Sequence, residues 1–228
     1  MTLYEGDFTA IMGPSGSGKS TLLYCLSGMD APTAGDVRYR GSSITGLRER
    51  DMAELRAQRF GFVFQQAHLV SNLTLFENVA VPGYLKKGRS AADTRAVAQA
   101  LVERMGLGPD AHHLPSQASG GQQQRCAVAR SVVNGPDIVF ADEPTGALNR
   151  ANTLEVLALL GELNGSGQSI CMVTHDVFCA LRANRVLYLE DGMIKGELEL
   201  PAFRTQGDAA YLKARDAQVN AWLSSLAW

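Results

Sequence analysis

The stretch Gly13-Pro14-Ser15-Gly16-Ser17-Gly18-Lys19-Ser20, preceded by the apolar run Phe8-Thr9-Ala10-Ile11-Met12, decides the fold. It satisfies the pattern GxxxxGK[ST] and lies between a strand expected over 8–12 and a helix expected over 19–27. Glycines let backbone N–H groups turn inward around a phosphate, and the helix N-terminus adds positive potential. In such a loop Lys19 reaches the β- and γ-phosphates of a nucleotide, and Ser20 is placed to ligate Mg²⁺. A Gly/Ser-rich turn that fits by accident is the alternative, and the agreement of strand, loop, Lys-Ser pair and helix argues against it.

Outward from this loop, a short strand is expected at 36–39, a charged helix at 51–58 and an apolar strand at 60–64. Residues 74–105 read as helical, with Val97, Leu101, Val102 and Met105 recurring at i, i+4, i+5 and i+8. Strand signals return at 138–141, 169–173, 185–190 and 193–198, with helices at 153–163 and 177–183 between them. Alternating strands and helices imply an α/β fold with a largely parallel sheet. At 228 residues and 46% hydrophobic composition the chain buries one sizeable core, so residues 1–228 are read as a single domain. A helical lobe, approximately 66–133, is inserted in it, and 205–228 form a helical tail. In that tail Leu212, Val219, Trp222, Leu223 and Leu226 fall on one helix face, with Arg215, Asp216, Gln218 and Asn220 largely elsewhere.

Two further stretches carry chemistry. Ile138-Val139-Phe140-Ala141-Asp142-Glu143 is a buried-strand run ending in two carboxylates. Beside the phosphate loop, Asp142 would lie near a Mg²⁺ shell and Glu143 where a general base polarises water; a solvated strand end is the plainer alternative. Ser119-Gly120-Gly121-Gln122 opens a helical pattern, and a Ser-Gly-Gly helix start is a second anion-binding surface or else an ordinary N-cap. Two phosphate-binding helix starts in one small chain suggest that one serves a neighbour's nucleotide.

Composition narrows the function classes. Lys and Arg number 21 against 23 Asp and Glu, a net charge of -2, which supplies no global positive field for a nucleic-acid partner. The acidic start lacks the basic and apolar regions of a signal peptide, and no apolar run approaches the roughly 20 residues that cross a bilayer. A cytoplasmic chain is therefore expected, with any membrane role exercised through a partner. Cys25, Cys126, Cys171 and Cys179 show no metal-ligand spacing and read as free, mostly buried thiols.

Over nearly its whole length the chain resembles the ATPase subunit of an ATP-binding cassette transporter. Gly13 to Thr21 resembles the Walker A loop, Gln65 in Phe62-Val63-Phe64-Gln65 the Q-loop glutamine, and Ser119-Gly120-Gly121-Gln122 the family signature. Asp142 resembles the Walker B aspartate, Glu143 the catalytic glutamate, and His175 in Val173-Thr174-His175-Asp176 the switch histidine at the γ-phosphate. The resemblance implies a P-loop ATPase fold. ATP is converted to ADP and phosphate with Glu143, His175 and Lys19 as catalytic groups and Mg²⁺ at Ser20, Gln65 and Asp142. It also implies a head-to-tail dimer with a second such subunit, each ATP lying between one Walker A loop and the other's signature. Closure and reopening of the dimer would drive an integral-membrane permease, placing the subunit at the inner face of the cell membrane. Gln65-Gln66, Leu73 to Val79 and Ala141 to Leu148 resemble the bacterial group of lipoprotein-release, macrolide-export and peptide-antibiotic resistance ATPases.

Departures from the family pattern set further expectations. Members carry two more antiparallel strands and an adenine-stacking aromatic well before the Walker A loop, so the N-terminal strands read as truncated, and Tyr4 is too close to Gly13 for that role. Either Met1 is not the natural start or part of the adenine site is lacking. Ala118 stands where the signature opens with Leu, and Asn149 where the loop after Glu143 ends in Asp. A soluble cassette of DNA repair or translation is disfavoured because neither a coiled-coil insertion nor a second cassette is present. A GTPase switch is disfavoured by the absence of Asn-Lys-x-Asp. A catalytically impaired or regulatory subunit is opposed by Glu143 and His175.

Overall fold

Every residue of the strand Phe8–Met12 is buried. It is β1, an interior strand of a six-stranded sheet in the computed structural model, which describes residues 1–204 and 209–226. In chain order there follow α1 (Lys19–Leu26), β2 (Arg38–Tyr39), β3 (Ser42–Ser43), α2 (Glu49–Arg59), β4 (Phe60–Val63), α3 (Leu75–Gly83), α4 (Ala91–Arg104) and α5 (Gly120–Val132). Then come β5 (Ile138–Asp142), α6 (Arg150–Gly165), β6 (Ser169–Val173), α7 (Val177–Ala180), β7 (Arg185–Glu190), β8 (Met193–Glu199) and α8 (Ala209–Ser225).

The strand order is β4-β5-β6-β1-β7-β8, parallel throughout except for β8, which pairs antiparallel with β7. Strands covered on both faces read as unbroken apolar runs, which is why β1 and β6 could be located from sequence. Side chains of β1 alternate between two cores. Phe8, Ala10 and Met12 enter one with Leu157 and Val219, and Ile11 enters the other with Leu23, Phe140 and Val173. In an open parallel sheet the crevice lies at the carboxyl ends of the strands. The loops after β1, β5 and β6 meet at that edge.

The helix expected over 74–105 is two helices. Pro82 and Gly83 close α3, Gly88 takes a φ of 77°, and Ser90 caps α4 by accepting from Asp93 N. Proline removes a backbone donor and clashes with the preceding turn, which ends the first helix. The start of α3 is a capping box between Thr74 and Glu77. The helix expected over 177–183 runs only from Val177 to Ala180.

The tail requires a correction. Arg215, expected away from the apolar face, is 4% exposed and lies on the stripe with Val219 and Leu223, both buried. Its guanidinium donates to the carbonyl oxygens of Leu181, Pro201 and Ala183, so the charge sits in polar company while the stem lies in the core. Trp222 and Leu226 rest on β8 at Gly196, where an added Cβ would come 2.9 Å from Leu226 Cδ1 and 3.1 Å from Trp222 Cζ2. Residues 205–208 and 227–228 of the expected tail lie outside the described residues.

Candidate functional site

The turn from β1 into α1 is built on glycine geometry. Gly13 packs against the strand β7, and a Cβ there would fall 2.0 Å from the carbonyl oxygen of Leu189. Gly18 caps α1 with a φ of 95° and no side-chain bond, so no side chain occupies the helix start. Lys19, buried, donates from Nζ to the carbonyl oxygens of Gly13 at 2.9 Å and Pro14 at 2.8 Å, spanning the loop. Burial lowers its pKa, while the nearby Glu143 and Asp142 act in the opposite direction. The turn joining β7 to β8 supports the loop from outside, with Gly192 N donating to Ser17 O at 3.1 Å.

Asp142 and Glu143 diverge from the end of β5. Asp142 turns towards α1, accepting from Ser20 Oγ at 2.8 Å and from Tyr24 Oη at 2.6 Å. The bond to Asp142, with burial added, raises the Tyr24 pKa to about 12. Glu143 has φ 44°, unusual for a residue with a side chain, and its N–H donates to Val173 O at 3.0 Å. Its Oε1 lies 3.0 Å from His175 Nδ1. Lys19, Ser20, Glu143 and His175 face one another across a cleft of about 510 Å³, lined otherwise by Ser15, Gly16, Gly18 and Thr21.

Not every expected site residue lines this cleft. Gly13 and Ser17 are buried beneath the loop, Pro14 is exposed and meets Lys19 through its carbonyl oxygen, and Asp142 stands behind Ser20. Gln65 is exposed just past β4, and its amide and the Glu143 carboxylate both come close to Gly146: a Cβ there would lie 2.8 Å from Gln65 Nε2 and 3.2 Å from Glu143 Oε2. Ser119 to Gln122 are also absent from the lining. Ser119 Oγ accepts from Gln122 N and Gln122 Oε1 from Ser119 N, a reciprocal cap that leaves Ser119 and Gly120 exposed. Asn149 caps α6 by accepting from Asn152 N at 3.0 Å. Tyr4 precedes β1, at the end of the strand opposite the phosphate loop, with the Arg185 guanidinium 5.0 Å from its ring.

Sequence reasoning missed Tyr24, although its i+4 spacing from Ser20 puts both hydroxyls on one helix face. The Asp191-Gly192 turn follows from an Asp-Gly pair between the strands expected at 185–190 and 193–198, but its contact with Ser17 was missed, because that contact joins residues 175 positions apart.

The phosphate loop, the divergent carboxylates and the parallel sheet define a P-loop nucleotide-binding protein of the α/β class. The profile of the ABC transporter family matches residues 1–146, and the chain belongs to that family. Its structure is similar to the ATP-binding cassette MJ0796 in a dimeric post-hydrolysis state bound to ADP and Pi, with 39% identity, 89% of each chain covered and a TM-score of 0.81. A second dimeric structure of MJ0796, a bacterial ABC transporter cassette, matches at 40% identity with the same coverage and TM-score. Among curated relatives, the macrolide export ATP-binding/permease protein MacB of Wolinella succinogenes is 46% identical over 194 residues, covering 85% of this chain and 30% of that protein. The pyoverdine export ATP-binding/permease protein PvdT of Pseudomonas fluorescens is 45% identical over 194 residues, covering 85% of this chain and 29% of its own length. The chain thus spans about 30% of the length of these relatives.

Proposed function

We propose that this cassette binds ATP with Mg²⁺ and hydrolyses it to ADP and phosphate to power export through a membrane permease. The observation that carries this reading is the Glu143–His175 pair facing Lys19 across the cleft. Lys19 meets phosphate charge, and the loop N–H groups with the α1 N-terminus cradle the phosphate chain. Glu143 accepts a proton from the attacking water, and His175, held against Glu143, orients that carboxylate and the γ-phosphate.

The donor set suits Mg²⁺. Ser20 Oγ and an Asp142 oxygen are hard ligands 2.8 Å apart, and among the described residues no group of three or more His, Cys, Asp or Glu could hold a metal ion. Mg²⁺ is ordinarily bound by one or two carboxylates with substrate phosphates and water. Ser20, Asp142 and Gln65 would hold it, and when bound it neutralises charge on the phosphate oxygens.

The exposed start of α5 supports a head-to-tail dimer, in which Ser119 to Gln122 contact the nucleotide on the partner's Walker A loop. The resemblance to dimeric cassettes points the same way. Among the described residues no helix is long and apolar enough to cross a membrane. The reading assigns attachment at the cytoplasmic face of the membrane to the permease, with a macrolide, an antimicrobial peptide or a lipoprotein as cargo class.

Phosphate release and nucleotide binding by two variants test the reading. Glu143→Gln is expected to retain ATP binding while turnover falls by about 10²-fold or more, and Lys19→Ala to lose both. Hydrolysis by Glu143→Gln at the unmutated rate would remove Glu143 as the base.

A further inference from the structure

We infer that Tyr24 is a positioning residue for the metal side of the site, acting through Asp142; the inference rests on the Mg²⁺-ATP reading above. Ser20 and Tyr24 stand one helical turn apart on α1, and each hydroxyl donates to a different oxygen of the same carboxylate, at 2.8 Å to Oδ1 and 2.6 Å to Oδ2. Both bonds run to an ionised acceptor, the strong class of hydrogen bond. A carboxylate held at both oxygens cannot turn about its Cβ–Cγ bond without breaking one of them.

The Tyr24 anchor is itself fixed. Its carbonyl oxygen accepts from Met29 N at 2.9 Å, Asp30 N at 3.1 Å and Ser27 Oγ at 3.2 Å, which locks the backbone at the end of α1. Its ring packs against the core that holds Ile11, Leu23 and Phe140. Asp142 is therefore oriented before nucleotide arrives. The Ser20 hydroxyl proton is already committed to it, so the remaining Ser20 lone pairs are free for a cation beside the phosphate loop. Outer groups that orient ligands in this way tune metal affinity without touching the metal.

The test compares ADP affinity with Mg²⁺ and with EDTA, read as the ratio of the two dissociation constants by fluorescence of a labelled ADP. Tyr24→Phe removes one oxygen and leaves the ring. It is expected to lower the Mg²⁺ enhancement about tenfold while the affinity in EDTA stays unchanged, which also shows that the variant is folded. In an Asp142→Asn background the same change is expected to cost nothing further. An unchanged or larger enhancement in Tyr24→Phe overturns the inference, and so does a loss that persists beside Asp142→Asn. If the unmutated protein itself shows no Mg²⁺ enhancement, the Mg²⁺-ATP reading fails first, so the two failures are distinguishable.

Discussion

Arg215 Nε, on the last helix, lies 2.7 Å from the carbonyl oxygen of Leu181, just past the end of α7. The same guanidinium reaches the carbonyls of Ala183, ahead of β7, and Pro201, just after β8. One side chain thus ties α8 to two segments, the α7–β7 connection and the end of β8, and α7 itself is capped by Asp176, next to His175. Burial pulls the Arg215 pKa below its usual value, with Tyr211 opposing the shift.

Truncating Arg215 would leave buried carbonyls without donors, at roughly 1–3 kcal/mol for each unsatisfied group. Arg215→Ala is therefore expected to destabilise the protein by about 3 kcal/mol, a fall of about 6–12 °C in melting temperature for a chain of this size. Arg215→Lys should recover less than half, because an ammonium lacks the planar fork that spans three acceptors. Urea and thermal unfolding measure both, and an alanine variant as stable as the parent contradicts the structural role.

Gly146 lies beside two expected site residues. An alanine methyl would press on Gln65 Nε2 at 2.8 Å and Glu143 Oε2 at 3.2 Å, while the exposed backbone there needs no left-handed φ. Gly146→Ala is expected to keep stability within about 0.5 kcal/mol and to lower ATP turnover by about 10²-fold, the scale of an ångström's misplacement in a catalytic group. Steady-state phosphate release beside an unfolding curve separates the effects. Full turnover in a stable variant would show that the spacing of Gln65 and Glu143 is not critical.

Removing residues 209–228 exposes the core surface that Val219 and Leu223 cover and frees the carbonyls held by Arg215. Burying one such side chain is worth about 1.5–3 kcal/mol, so the truncated chain is expected to lose at least about 3 kcal/mol. Among the described residues the phosphate loop has no hydrogen bond to α8, and it should still bind nucleotide. Thermal unfolding and light scattering with ATP check this; unchanged melting and unchanged dimerisation would make the tail a dispensable appendage.

Much of this was legible along the chain. The buried strands β1, β6 and β7 matched their expected bounds because parallel strands covered on both faces are short unbroken apolar runs. The phosphate loop was legible because its chemistry needs contiguous residues. The pair β2–β3 was half missed, since Ser42–Ser43 carries no apolar signal. The break at 84–90 was passed over although Pro82 and Gly88 marked it, because apolar spacing at 97–105 was extended backwards across them.

By itself the sequence determined the α/β class, the phosphate loop and the order of the motifs, all properties of neighbouring residues and their periodicity. Only the tertiary structure decided which distant groups share an atom. Tyr24 meets Asp142 across 118 positions, and His175 meets Glu143 across 32. Arg215 shows the reason most directly. A hydrophobicity pattern puts arginine on the solvent face, and nothing near it in the chain says otherwise. Its burial becomes tolerable only once the carbonyls of Leu181, Ala183 and Pro201 converge on it, and that convergence exists only after the end of α7, the start of β7 and the end of β8 have packed together.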